Sequence, residues 1–368
     1  MPPLSLYIHI PWCLKKCPYC DFNSHEVRDG IPEAAYVDAL QRDLDAVLPL
    51  VAGRTVQSVF IGGGTPSLLS AAAIREILGV SPRLTFAEDA EVTLEANPGA
   101  IEAAKFVGFR EAGVTRLSLG IQSFDDARLK TIGRIHSSDE ARRAIDLALR
   151  NFERVNVDLM YGLPGQTLAG ARRDIESAVA YGAGHISAYH LTIEPNTTFH
   201  HAPPDLPDDD LAADMQEMVE ETLAAAGYGH YETSAFARPG QQCRHNLNYW
   251  NFGDYLGLGA GAHSKFDGRR EARPRSPKDY LADPVARQWQ AIAAADLAGE
   301  FMMNALRLID GFDAALFEER TGLPLATIEA ALSQAENEGL LVRNAERIAP
   351  TPLGQRFLNR LIGRFLSS

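Results

Sequence analysis

His9-Ile10-Pro11-Trp12-Cys13-Leu14-Lys15-Lys16-Cys17-Pro18-Tyr19-Cys20-Asp21-Phe22 carries three of the chain's four cysteines, in the spacing CxxxCxxC. Three thiolates on one loop can hold three irons of a four-iron, four-sulfur cluster, because such clusters are bound by cysteine sulfur. The fourth iron is then open to a ligand from outside the protein. Zinc is the competing occupant, but structural zinc sites close a tetrahedron with four ligands. No second CxxC or HxxxH pair follows. Lys15 and Lys16 offset the negative charge of a thiolate cluster. A disulfide reading is weak, because no secretion signal precedes the loop and a third thiol is left over.

Outward from this loop, the 368 residues suffice for one large domain and a smaller one. The composition, 46% hydrophobic and 23% charged, is that of an ordinary soluble protein. A net charge of −13 disfavours non-specific nucleic-acid binding by the whole chain. The start, MPPLSLYIHIPW, has neither the basic nor the long apolar region of a signal peptide. No apolar run approaches the length of a membrane span. An oxidation-sensitive cysteine loop points to a reducing, intracellular setting.

Leu4, Leu6, Ile8 and Ile10 alternate with Ser5, Tyr7 and His9, which predicts a strand running into the cysteine loop. Further apolar strands are expected at Val56–Ile61, Glu91–Glu95, Arg116–Gly120, Val155–Asp158 and His185–Leu191. Helical stretches alternate with them: Ala34–Leu50, Leu68–Leu78, Ile101–Ala112, Ser137–Leu149 and Gln166–Tyr181. Strands alternating with helices argue for a parallel sheet, either doubly wound or a partial (β/α) barrel. Each later strand ends in a polar, glycine-rich or proline-rich segment: Gly62-Gly63-Gly64-Thr65-Pro66, Glu95-Ala96-Asn97-Pro98, Gly120-Ile121-Gln122-Ser123-Phe124, Asp158 to Thr167, and Thr192-Ile193-Glu194-Pro195. Carboxyl ends of strands are where α/β folds bind ligands. One such segment is weak; all of them in phase, beside the cysteine loop, are a strong constellation.

Asp208–Ala226 reads as an acidic amphipathic helix with a solvated face. An extended stretch, His230–Ala237, follows. The character changes at Arg238-Pro239-Gly240, which divides the chain into residues 1–237 and 238–368. The second part holds Cys243-Arg244-His245-Asn246-Leu247-Asn248-Tyr249-Trp250 and Gly257-Leu258-Gly259-Ala260-Gly261-Ala262-His263-Ser264, then turns mostly helical. Its end reads helix, helix, short strand pair, helix, a winged-helix-like order. Arg343, Arg347, Arg356, Arg360 and Arg364 make that end basic. Scattered arginines alone do not make a DNA reader, and a packing or docking module is the favoured reading.

The set YIHIPWCxxxCPYCDF, GGGTP, LEANP, LGIQSF, DLMYGLPGQT and LGLGAGAHS resembles the radical S-adenosylmethionine (SAM) superfamily, in its coproporphyrinogen dehydrogenase branch, over nearly the whole chain. The resemblance implies a partial (β/α)6 TIM-like barrel with a smaller, mostly helical, winged-helix-like C-terminal domain. It implies a [4Fe-4S] cluster whose open iron is chelated by the amino and carboxylate groups of SAM, which reductive cleavage converts to a 5′-deoxyadenosyl radical. Carried over by position, Cys13, Cys17 and Cys20 are the cluster ligands. Tyr7 and Tyr19 border cluster and SAM. Gly63, Gly64 and Thr65 form the backbone edge for the methionine end. Glu95, Gln122, Arg134 and Asp158 are further SAM contacts, and Thr192 and His263 lie near a second one. The types fit: arginine suits a carboxylate, and acids accept from ribose hydroxyls or an ammonium.

Within the branch the chain is more similar to the heme chaperones than to the oxidising enzymes. Phe22 stands where the enzymes carry a fourth cysteine, and only a handful of residues precede Tyr7, where the enzymes have a long arm. His245-Asn246-Leu247-Asn248-Tyr249-Trp250 matches the HNxxYW motif of the chaperones. His245 is then the expected heme ligand, with Cys243 second, since imidazole and thiolate both ligate heme iron. The competing reading is a histidine and two aromatics that pack a domain junction. The resulting expectation is a cytoplasmic heme-trafficking protein, peripheral at the inner face of the membrane. It carries the cluster, SAM and heme, and hands heme to acceptor hemoproteins of a respiratory chain, with no nucleic-acid partner and a monomer–dimer state. A radical SAM oxidoreductase acting on a tetrapyrrole is the alternative, and a non-catalytic regulatory protein the third.

Overall fold

The computed structural model describes residues 1–79 and 83–366. β1 (Leu4–Ile10) is buried along nearly its whole length, as a parallel strand covered on both faces must be. Beside it run β2 (Thr55–Gly63), β3 (Thr85–Ala96), β4 (Arg116–Gln122), β5 (Arg154–Tyr161) and β6 (His185–His190), parallel and in chain order. Helices α1 (Glu33–Val47), α2 (Ala71–Gly79), α3 (Phe106–Glu111), α4 (Ser138–Asn151) and α5 (Leu168–Tyr181) fill the connections. An unreversed strand order selects the partial (β/α)6 barrel over a doubly wound sheet, whose order reverses at a switch point. α4 starts at a capping box between Ser137 and Glu140, and α5 ends on Gly182 at φ +71°, a conformation open to glycine.

Two elements differ from the sequence expectation, and the acidic helix follows it. β3 begins at Thr85, ahead of Glu91, because Thr85 and Phe86 pair with Thr55 and Val56 across a register shift. The helix expected over Ile101–Ala112 is split into Ala100–Ala103 and α3. Between the pieces, Lys105 Nζ donates to the carbonyls of Ser67, Leu68 and Leu69. The acidic helix α6 (Asp209–Ala225) buries Met215, Met218, Val219 and Leu223 beneath its charged face, the i, i+3, i+4, i+8 stripe of a core-facing helix.

β8 (Ala235–Ala237) pairs antiparallel with β6, and β7 (Gly229–Glu232) pairs antiparallel with β8 at the outer edge. The HNLNYW segment forms α7 (Arg244–Trp250). The chain then returns to the far side of β1, where β9 (Asp254–Leu258) pairs parallel with it. β10 (His263–Phe266), β11 (Arg269–Ala272) and β12 (Gln288–Ala291) extend that edge antiparallel. Among the described residues the sheet has twelve strands in the order β12-β11-β10-β9-β1-β2-β3-β4-β5-β6-β8-β7, so it continues past residue 238. A second apolar core gathers Phe252 with residues from Ala298 to Phe365. It contains α8 (Ala294–Ala305), β13 (Phe312–Asp313), α9 (Ala314–Thr321), α10 (Glu329–Asn337), β14 (Leu341–Arg343) and β15 (Arg347–Pro350), the last pair forming a wing-like hairpin.

The five arginines of this end are paired within the chain. Arg343 holds Glu329 and Glu336, Arg347 holds Asp313, Arg356 holds Glu217 on α6, and Arg360 and Arg364 share Glu338. Their charge is therefore spent on packing and docking. No helix among the described residues is long and apolar enough to cross a membrane.

The strand alternation has a second consequence. The interleaved polar residues of neighbouring strands meet inside the barrel: Ser5 with Ser58 at 2.8 Å, Ser118 with Asp158 at 2.8 Å, Asn156 with Ser118 at 2.8 Å, and Arg116 with Glu91 at 3.4 Å. The interior is a hydrogen-bonded layer, and it leads up to the strand ends where ligands sit.

Candidate functional site

The cysteine loop leaves β1 through a two-residue strand, Trp12–Cys13, paired with His25–Glu26. It is strapped to the glycine turn after β2, since Gly64 N–H donates to Ile10 O and Thr65 N–H to Trp12 O, both at 2.7 Å. A Cβ on Gly63 would overlap the His9 ring, and one on Gly64 would meet the Ile10 carbonyl at 2.9 Å. Gly63 also sits at φ +111°. Only glycine lets the turn come this close.

The three cysteines are half-buried. Cys13 Sγ accepts from Thr65 Oγ1 at 3.4 Å, Cys17 Sγ from Arg134 Nη1 at 3.9 Å, and Cys20 Sγ lies 3.9 Å from Ser24 Oγ. Burial, as the largest cause, raises the Cys13 and Cys20 thiols above their usual range. Lys16 is occupied in closing the loop, its Nζ donating to Phe22 O and Ser24 O. Among the described residues no three His, Cys, Asp or Glu side chains converge on a single-ion position. Three separate thiols around a cavity suit a multi-iron cluster, one iron to each sulfur, better than one zinc.

That cavity, about 270 Å³, is lined by all three cysteines together with Tyr19, Gly63, Gly64, Thr65, Glu95, Gln122, Arg134 and Asp158. Eight of the eleven positions expected at the cofactor are thus brought to one place. Gln122 takes φ +69° at the end of β4, a strained backbone of the kind that marks functional sites. Arg134 Nη2 donates to Asn97 Oδ1 and Gly120 O, each at 2.6 Å, while its Nε is buried without a partner. An orphaned guanidinium donor at the wall fits an anionic group of a ligand. Asn97, which links Arg134 to Thr65 Oγ1, was not singled out from the sequence although it stands in LEANP. Ser118 and Tyr189 also line the cavity unannounced; their only sequence signal is their place on the inward phase of β4 and β6.

Tyr7 and His263 open instead onto an adjoining cavity of about 960 Å³, and Gly63, Glu95 and Phe22 border both. His9 Nε2 lies 2.8 Å from Asn23 O and so carries the proton, leaving Nδ1 to accept from Tyr7 OH at 2.9 Å. Burial lowers its pKa, in keeping with that neutral tautomer. The far wall comes from β10–β12 and the turn between, with Arg273, Arg275 and Arg287, and from Tyr249 and Tyr255. Thr192 borders neither cavity, and its hydroxyl donates to His190 O at 3.4 Å.

His245 is buried behind this wall. Its Nδ1 lies 3.2 Å from Ser58 Oγ and its Nε2 has no partner. Phe60 stacks on it at 5.0 Å and Tyr249 meets it edge-on at 4.8 Å. Burial drives its pKa down to about 3. The rest of the motif divides: Asn248 Nδ2 donates to Asp254 O at 2.9 Å, and Arg307 of the C-terminal region lies 5.2 Å over the Trp250 ring. The helix therefore packs the junction and also supplies Tyr249 to the cavity.

A cysteine loop at the carboxyl edge of a six-stranded partial barrel defines the radical SAM class. The Radical SAM superfamily model matches residues 7–178, and that of the HemN C-terminal domain matches residues 292–357. The solved structure of coproporphyrinogen III oxidase (HemN) from Escherichia coli superposes with TM-score 0.85 at 25% identity, covering 100% of this chain and 90% of that one. The heme chaperone HemW of Escherichia coli K12 is 48% identical, across 100% of this chain and 99% of that protein. HemW of Haemophilus influenzae is 45% identical with the same coverage. The chain belongs to the heme chaperone HemW family, within the radical SAM superfamily. Membership of that superfamily implies a [4Fe-4S] cluster and SAM.

Proposed function

We propose that this chain binds heme and passes it to acceptor hemoproteins, carrying a [4Fe-4S] cluster on Cys13, Cys17 and Cys20 and SAM in the cavity beside them. Identity of 45–48% with heme chaperones over the full length carries the reading. The larger cavity supports it: about 960 Å³ falls within the range of small-molecule sites. Tyr7, Tyr249 and Tyr255 offer flat walls for a macrocycle, and Arg275 and Arg287 suit its propionates.

His245 is the iron ligand in this reading. Its neutral ring and unpartnered Nε2 are ready to coordinate, but Tyr249 must swing aside to expose it. Cys243 is the weaker candidate, since burial pushes its thiol up to about 11 and keeps it protonated. His263 is exposed in the same cavity and serves as the control. In equilibrium heme titrations, His245→Ala is expected to lose at least about tenfold in affinity, the scale on which metal sites respond to their supporting residues, and His263→Ala little. Loss in His263→Ala alone would name the accessible imidazole instead. HemN's likeness motivates a parallel assay: the reconstituted protein with SAM and reductant is expected to leave coproporphyrinogen unconverted.

SAM is placed against Gly63, Gly64, Thr65, Glu95, Gln122 and Asp158. Burial, and then the Asp158 charge, push Glu95 up to about 8. The sign follows from linkage: between about pH 5 and 8 the folded protein holds a proton that the unfolded chain has lost, so stability falls as pH rises through that window. A sulfonium cation bound nearby reverses the pressure and expels the proton. At pH 7 the wild type should release more protons per bound SAM than Glu95→Gln, measured calorimetrically in buffers of different ionisation enthalpy. Equal release would remove Glu95 from the site.

A further inference from the structure

Beneath the cofactor cavity a buried chain of hydrogen bonds crosses the barrel. At its upper end Asp158 accepts from Ser118 Oγ and from Asn156 Nδ2, both at 2.8 Å. Asn156 Nδ2 also donates to Ser118 Oγ at 2.8 Å, so both amide hydrogens are committed and Oδ1 can only accept. His185 Nδ1 lies 2.6 Å from that Oδ1 and must therefore carry the imidazole proton. Its Nε2, 2.8 Å from Tyr231 OH, is left as an acceptor, so the tyrosine donates. The Tyr231 oxygen in turn accepts the N–H of Cys243 at 3.2 Å. Burial, then Arg116 and Arg154, hold His185 well below its usual range, matching the single-proton tautomer the geometry demands. Asn156, His185, Tyr231 and Cys243 are all buried.

The chain thus has a fixed direction, set by a carboxylate at one end and a backbone amide at the other. Cys243 precedes the first residue of α7 and has no side-chain cap on that helix, so two hydrogen bonds hold where α7 begins: its own N–H to Tyr231 OH, and the N–H of Arg244 to Glu91 Oε1 at 2.9 Å. We propose that Asn156, His185 and Tyr231 are positioning residues that transmit occupancy at Asp158 to α7, the helix bearing His245 and Tyr249. The proposal rests on the reading of the Asp158 cavity as the SAM site. A ligand drawing on Asp158 competes with Asn156 for the carboxylate. The amide oxygen also accepts from Ser187 Oγ, at 3.2 Å, but His185 is the closer partner, so the amide's answer moves against His185. A purely space-filling role would leave α7 indifferent to SAM.

Amide hydrogen exchange of residues 243–250 in the cluster-loaded protein, with and without SAM, tests this without heme. Wild type should show exchange slowed by about fivefold with SAM, a local-opening change within reach of one buried hydrogen bond. Tyr231→Phe, nearly isosteric, should keep SAM affinity within about twofold yet show no SAM effect on that segment. His185→Asn, whose amide can replace the Nδ1 donor but cannot reach Tyr231, should behave alike. His185→Leu should also weaken SAM binding by about tenfold, because Asn156 loses its shorter donor and keeps only Ser187 Oγ at 3.2 Å to orient it. Segments in Tyr231→Phe and His185→Asn that respond to SAM as in wild type would overturn the proposal, as would a wild-type segment indifferent to SAM. A wild type that binds no SAM in calorimetry overturns it along with the cofactor reading.

Discussion

With Cys13, Cys17 and Cys20 all replaced by alanine, the protein is expected to fold normally, take up no cluster and lose SAM affinity beyond about a hundredfold, because chelation at the open iron goes with the cluster. Folding is spared because the loop is held by its backbone: His25 N–H to Pro11 O, Val27 N–H to Cys13 O, Gly64 N–H to Ile10 O and Thr65 N–H to Trp12 O. None of these uses a thiol. Anaerobic reconstitution with iron and sulfide, followed by absorption and EPR, checks the cluster. A normal cluster signal in the triple variant would sink the assignment of all three ligands. A single variant is the weaker test, since two remaining thiolates can retain a partial cluster.

Asp43→Ala should cost stability on the scale of about 3–5 kcal/mol, the range for removing one partner of a buried pair. Asp43 and Arg273 are fully buried and 3.1 Å apart. The same carboxylate accepts from Tyr280 OH at 3.1 Å and from Gly259 N–H at 3.3 Å. One residue on α1 thus anchors the segments that form the far wall of the larger cavity. Without it the guanidinium keeps only Ser264 at 2.8 Å and the more distant Glu271 at 3.5 Å, and two donors lose their acceptor. Asp43→Asn retains acceptor capacity without the charge and should fall between. Urea unfolding of both variants reads the difference; a loss under about 1 kcal/mol for Asp43→Ala would mean the wall does not depend on this ion pair.

The barrel strands and the cysteine loop were legible because each is a local pattern. Alternation located β1, apolar runs located β2, β4, β5 and β6, and the segments at the ends of β2, β4 and β5 converge on one cavity, while Thr192 after β6 borders none of it. The start of β3 was hidden by Glu88 and Asp89, which look like loop yet lie in a strand that pairs across a bulge. The β9–β12 edge was illegible for a different reason: Leu4 pairs with Asp254, and nothing local announces so distant a partner. Side-chain direction was the other blind spot. HNLNYW marks a motif, but neither the helix it forms nor that His245 turns inward against Phe60 while Tyr249 faces the cavity. Ser118, Asn156 and His185 carry a signal beyond the strand pattern. Their polarity on the inward phase, repeated on neighbouring strands, was the sign of a hydrogen-bonded interior.

Whether the chain carries heme is decided by transfer. The reconstituted protein is loaded with heme, freed of excess, and mixed with an apo-hemoprotein while the absorption of both is followed. Acceptor filling is expected to mirror loss of heme from the carrier and to proceed faster than spontaneous heme release measured with a non-specific heme trap. Heme that leaves only at the spontaneous rate, or a preparation that instead converts coproporphyrinogen to protoporphyrinogen over multiple turnovers, would contradict it.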